Sequence, residues 1–129
     1  MCCEIEISMR DSIIKTKSYK FAVRIVKLYK HFKENLNEHT LSKQLLRSGT
    51  SIAANTSEAL DAQSDMDFIH KFSIAQKECS ESIFWIKLLY DTEFINKAQF
   101  ESLYDECNQL HKIITSIILT KKQNTRRRK

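Results

Sequence analysis

Proline is absent from this chain and glycine occurs once, at Gly49. Tight hairpins, Gly-rich phosphate loops and βαβ turns all need these residues, so their scarcity excludes most β and α/β architectures. It also removes the two residues that penalise helix interiors most. No apolar run approaches the length of a membrane span, and the first residues lack the basic and apolar regions of a signal peptide, so a soluble cytoplasmic protein is expected. What is present suffices for one core: 129 residues, 42% of them hydrophobic and 29% charged. The composition therefore predicts a single all-α domain.

Acidic residues are missing from two stretches. Ser12 to Lys33 holds seven Lys or Arg and no Asp or Glu, and Lys121 to Lys129 holds six basic residues and no acid. The rest is nearly balanced: residues 1 to 120 carry 15 basic against 16 acidic groups. The sequence pI of about 9.0 thus reflects the tail, and only the location of the charge bears on partners. Of the four cysteines, Cys2 and Cys3 are adjacent near the start, while Cys79 and Cys107 fall at apolar helical positions. This spacing matches neither a disulfide framework nor a metal site, and predicts reduced, inert thiols.

Apolar spacing predicts four helices. Phe21, Ala22, Ile25, Val26, Leu28, Tyr29 and Phe32 form one stripe, opposite Lys17, Lys20, Arg24, Lys27 and His31. Asn35 and Asn37 interrupt that helix. A second spans about Thr40 to Leu60, with Leu41, Leu45, Gly49, Ile52, Thr56 and Leu60 on one side and an unusually small centre from Ser48 to Ala54. Gly49 there reads as a packing residue. Ser64 is placed to cap a third helix whose stripe is Phe68, Phe72, Ala75, Cys79, Ser82, Ile86 and Leu89. Asn96 and Gln99 give a capping-box signal for the last, with Phe100, Leu103, Cys107, Leu110, Ile114 and Ile117 on its stripe. Short connections make these an antiparallel up-down-up-down four-helix bundle over residues 15–120, preceded by an extension at 1–14 and followed by a basic, disordered tail at 121–129.

Chemistry-bearing patterns are few. A di-iron bundle needs paired Glu-x-x-His motifs, and there are none; Asp67-x-x-His70 is single and suits a helix first turn. His31, His39, His70 and His111 stand apart, with no nucleophile arranged beside them. No catalytic residue, metal or cofactor is expected. Arg47, Ser51, Asn55 and Glu58 step along one face of the second helix; the pattern fits equally a solvated face or a polar seam at a helix or subunit contact. The first-helix cations Lys17, Lys20, Arg24 and Lys27, with Arg126, Arg127, Arg128 and Lys129 of the tail, resemble the footprint of a phosphate-backbone binder, although charge runs more commonly mean a solvated helix face and a solubilising tail.

The run from Arg47 to Glu58, R-S-x-x-S-I-x-x-N-x-x-E, followed by Asp67-Phe68-Ile69, Ile74-Ala75, Glu78, Glu81 and Trp85, resembles the four-helix-bundle proteins encoded in intervening sequences of bacterial large-subunit ribosomal RNA genes. The accessory variability determinant protein of diversity-generating retroelements is related to that family. The likeness extends over about Tyr19 to Leu119, and departs from it at Ala53 and Ala59, where many members have Pro and Gly. It implies a bacterial homo-oligomer, a ring of five. For the retroelement members it also implies a basic surface that binds nucleic acid and a reverse transcriptase. The combined expectation is a non-enzymatic oligomeric accessory protein that binds RNA or DNA, with an oligomeric protein-interaction scaffold as the alternative.

Overall fold

The computed structural model describes the backbone of residues 2–127 and the side chains of residues 9–127. It is an antiparallel four-helix bundle: α1 (Cys2–His31), α2 (Thr40–Leu60), α3 (Asp65–Asp91) and α4 (Lys97–Arg127). Each helix packs on its neighbour in sequence, and α4 returns to α1 along the loosest of the four seams.

The helix ends follow local chemistry. α1 closes in a π-helical turn, Phe32–Leu36, and Asn37 stops it with a left-handed φ of 52°. Ser64 caps α3 by accepting from the Asp67 N–H at 3.1 Å. Asn96 and Gln99 form a reciprocal box at the start of α4, each side chain accepting the other's backbone N–H. The cap of α2 has no signature in the two asparagines. Glu38 supplies it, accepting the N–H groups of Leu41 at 2.8 Å and Ser42 at 3.0 Å. Burial opposes ionisation of Glu38, but these bonds, with others from the Ser42 hydroxyl and the Thr40 N–H, outweigh it and hold its pKa below the usual carboxylate range.

The α3 stripe is buried as its spacing requires. On α2 the buried set is Ser42, Leu45, Ser48, Gly49, Ile52, Thr56 and Ala59. Leu41 and Leu60, at the two ends of α2, are half-buried instead. Ser82 donates to Ser48 Oγ at 2.9 Å inside the core, and Ser48 donates in turn to the Leu45 carbonyl, while the Thr56 hydroxyl is buried with no partner among the described residues. A Cβ built at Gly49 would stand 3.0 Å from Ile25 Cγ1, so the missing side chain is what lets α1 and α2 come this close at that point.

Two boundaries differ from the periodicity. α1 is helical from Cys2, and Ile14 and Ser18 are buried, so residues 2–14 of the expected extension are the first part of a continuous helix. The residues beyond Thr120 continue α4 to Arg127 rather than fraying. Polar contacts hold them there: Lys121 Nζ lies 3.6 Å from Asp65 Oδ1 and 4.5 Å from the centroid of Phe68, and Thr125 donates to Asp65 Oδ2 at 3.1 Å. Beside this cluster Arg10 donates to Thr120 at 2.9 Å, and Asp11 Oδ1 is buried with no hydrogen-bond partner. An apolar-periodicity argument is blind to such contacts.

Candidate nucleic-acid interface

The cations of α1 divide among three directions. Residues seven apart share a side, and Arg10, Lys17 and Arg24 all turn towards α4. Lys17 donates to Gln109 Oε1 at 3.3 Å, and Arg24 Nη1 pairs with Glu106 Oε1 at 2.6 Å. Lys20 and Lys27 face outwards, as do Lys30 and Lys33 near the end of the helix, and all four are exposed. They make no ion pair among the described residues. Lys15 and Tyr19 flank α2. The predicted stripe is therefore divided, with Lys17 and Arg24 on a partly neutralised edge and Lys20 and Lys27 on a free face.

Two grooves run along α1 and share Lys20 as the ridge between them. The one towards α4 is about 380 Å³, lined by Ser12, Ile13, Thr16, Lys17, Lys20, Glu106, Gln109 and Leu110. The one towards α2 is about 330 Å³, lined by Lys15, Thr16, Ser18, Tyr19, Lys20, Ala53 and Ser57. Arg126 and Arg127 are exposed at the end of α4; Arg128 and Lys129 lie outside the described residues.

The polar face of α2 belongs to a seam with α3. Arg47 reaches Glu78 Oε2 at 3.0 Å and Glu81 Oε2 at 2.5 Å, and Trp85 Nε1 donates to Glu81 at 3.3 Å. The hydrogen bond that Arg47 donates to Glu81, aided by the charges of both carboxylates, raises the Arg47 pKa further, and the same bond holds Glu81 below the ordinary carboxylate range. Glu58 pairs separately with Lys71 at 3.4 Å. Ser51 and Asn55 turn back on their own helix, donating to the carbonyls of Arg47 and Ser51. So Arg47 and Glu58 share a face but not a contact, and with Arg47 51% exposed the seam remains wet within one chain.

Cys79 and Cys107 are free, buried thiols, with Cys107 donating to the Cys79 carbonyl at 3.4 Å. Hydrogen bonding of the neutral thiol with the neighbouring Cys107 side chain, and burial, push the Cys79 thiol far up, which suppresses the reactive thiolate. Cys2 and Cys3 side chains lie outside the described residues. Among the described residues no cluster of three or more His, Cys, Asp or Glu is placed to hold a metal ion, and no helix is long and apolar enough to cross a membrane.

The motif residues of α2 and α3 thus meet in one network, Arg47 with Glu78 and Glu81, and Glu81 with Trp85. Residues 10–116 match the family described as 23S rRNA-intervening sequence protein. The chain belongs to that family. A crystal structure of a protein of unknown function from the S23 ribosomal protein family, from Bacteroides thetaiotaomicron, is 49% identical, with a TM-score of 0.83 over 84% of this chain and 97% of that one. No curated protein matches the sequence. The family likeness read from Arg47 to Trp85 therefore holds, as does the four-helix fold.

Proposed function

We propose that this member of the 23S rRNA-intervening sequence protein family is a cytoplasmic, non-enzymatic homo-oligomer, a ring of five, that binds RNA or DNA through phosphate contacts. The observation that carries this reading is the acid-free length from Ser12 to Lys33, in α1 and its closing turn, where Lys20, Lys27, Lys30 and Lys33 stand exposed and make no ion pair among the described residues. Arg126 and Arg127 extend the positive surface at the far end of α4. Lys and Arg on a regular helix neutralise phosphates without reading bases, and a ring would multiply the effect by presenting several copies at once. A reverse transcriptase is the protein partner that the retroelement relatives suggest. Salt-series anisotropy with labelled RNA and DNA tests the binding: the logarithm of affinity should fall linearly with log salt, and absence of binding at low salt overturns the reading. Light scattering tests the assembly, since a mass of 15.2 kDa across a dilution series leaves a monomer.

The alternative, an interaction scaffold without nucleic acid, draws on the outer face of α3. Met66 is 82% exposed and Phe84 57% exposed, and their spacing of 18 residues, about five turns, puts both on one side of the helix. Failure of every nucleic-acid probe with a stable oligomer in hand would favour it.

A further inference from the structure

Tyr19 is the most exposed aromatic side chain among the described residues, at 67%. Its ring makes no aromatic or cation–π contact and its hydroxyl no hydrogen bond among those residues, unlike Phe84, which packs edge-on against Trp85 at 4.9 Å. The groove it borders is floored on α2 by Ala53 and Ser57, residues too small to cover the ring. Two ammonium groups, Lys15 and Lys20, stand on the same rim, five residues apart and so about 7.5 Å along the helix axis. No carboxylate lines this groove, whereas Glu106 lines the one on the other side of Lys20.

We infer that the α1/α2 groove takes a single unpaired nucleotide base stacked on Tyr19, with Lys15 and Lys20 on the flanking phosphates, so that the protein favours single-stranded over double-stranded nucleic acid. The inference rests on the nucleic-acid reading above and adds to it the form of the ligand. The reasoning is one of access. Backbone phosphates are equally available on single and double strands, so cations alone give no preference between them beyond charge density. A paired base offers its faces only to its neighbours in the stack. An exposed ring on a positive groove wall can therefore be used only by an unpaired base, and every base has a face to offer, so the contact discriminates strandedness without discriminating sequence. Tyrosine suits this position because its hydroxyl keeps the rim hydrated when no ligand is present.

Anisotropy with short labelled oligouridine and oligothymidine, and with RNA and DNA duplexes of the same length, tests this on the full chain. Tyr19→Ala should weaken binding to both single strands by roughly tenfold, the effect expected for one lost stack, and leave duplex binding and the salt slope unchanged. Tyr19→Phe should bind single strands as the native protein does. Light scattering on both variants checks that a loss of binding is not a loss of assembly: the native oligomeric mass is expected for each. Equal binding of single and double strands by the native protein, or Tyr19→Ala binding single strands as tightly as native, overturns the stacking site and leaves the backbone reading standing. A Tyr19→Phe loss as large as that of Tyr19→Ala assigns the effect to the hydroxyl and also overturns it. If the native protein binds no probe at low salt, the nucleic-acid reading itself fails and the site goes with it.

Discussion

Arg24 Nη1 sits 2.6 Å from Glu106 Oε1 across the α1/α4 seam, and this one pair sets how much of the α1 charge is free for a partner. An arginine already facing a carboxylate releases few counterions when a phosphate arrives. Lys20→Gln or Lys27→Gln should therefore reduce the slope of log affinity against log salt by about 0.7 to 0.9 each, while Arg24→Gln should change it little. Glu106→Gln should act in the opposite direction, freeing Arg24 and steepening the slope. Equal effects for Lys20 and Arg24 would mean that the pair opens on binding.

Gly49 provides a stability test in which two effects oppose each other. Alanine in its place gains about 1 kcal/mol of helix propensity, but its Cβ would stand 3.0 Å from Ile25 Cγ1 and 3.2 Å from Cγ2, in a fully packed core. Ile25 is β-branched and buried on every side, so it has little room to give, and overpacking of this kind costs about 1 to 3 kcal/mol. Gly49→Ala should lower stability by about 1 kcal/mol in urea unfolding. In an Ile25→Ala background, where the clashing atoms are gone, the same substitution should raise it.

These contacts also show where the sequence was readable. The stripes of α3 and α4 are long and apolar, so period alone located Phe72, Cys79, Ile86, Leu110 and Ile114 in the core. The caps at Ser64 and Asn96 were legible because they are local, residue to residue, within one turn. The hydroxyl pair Ser48–Ser82 and the cap at Glu38 were not: a serine on an apolar stripe does not reveal its partner 34 residues away, and Glu38 lies one place before the residue where a cap is sought. For the candidate site, the sequence located the cations of α1 but not their orientation. Lys20 and Arg24 share a helical stripe, and only the seam with α4 separates the free one from the paired one.

The α2/α3 seam should respond unequally to its two charged ends. Arg47 is bonded to Glu78 and Glu81, and the Glu78 side chain is only 14% exposed, so Arg47→Ala leaves a largely buried carboxylate uncompensated. With Arg47 itself half in water, a loss of about 1 to 2 kcal/mol is expected rather than the 3 to 5 kcal/mol of a buried pair. Glu58→Ala breaks only a surface pair with Lys71 and should cost under about 1 kcal/mol. Equilibrium urea unfolding of the two variants measures the difference.

Acid should weaken the fold through Glu38 and Glu81. Both have folded pKa values below their unfolded ones, Glu38 despite its burial and Glu81 through its bond from Arg47. Their stabilisation is thus complete above the unfolded Glu pKa of about 4.3 and is lost as pH falls through the folded values. Asp11 acts with opposite sign: burial raises its pKa, against the opposing charge of Lys121, so its contribution falls as pH rises through the carboxylate range. Stability measured from pH 6 downwards should therefore drop with a shallower slope in Glu38→Gln, and with a steeper one in Asp11→Asn.

The end of α4 serves both packing and charge, and two truncations separate the roles. Lys121 meets Asp65 and the Phe68 ring, and Thr125 bonds Asp65, whereas Arg126 and Arg127 are exposed past the last of these contacts. Removing residues 126–129 takes away four cations and none of those contacts. It should flatten the salt dependence of nucleic-acid binding and leave the urea midpoint where it was. Removing residues 121–129 takes away the Lys121 and Thr125 contacts of Asp65 and uncovers Phe68, so it should flatten the slope further and also lower the midpoint. Were the longer deletion to leave the midpoint unchanged, the polar cluster around Asp65 would hold the helix end in place without contributing to the stability of the bundle. Were the shorter one to lower it, the arginines would be part of the packed structure and not a surface for phosphates.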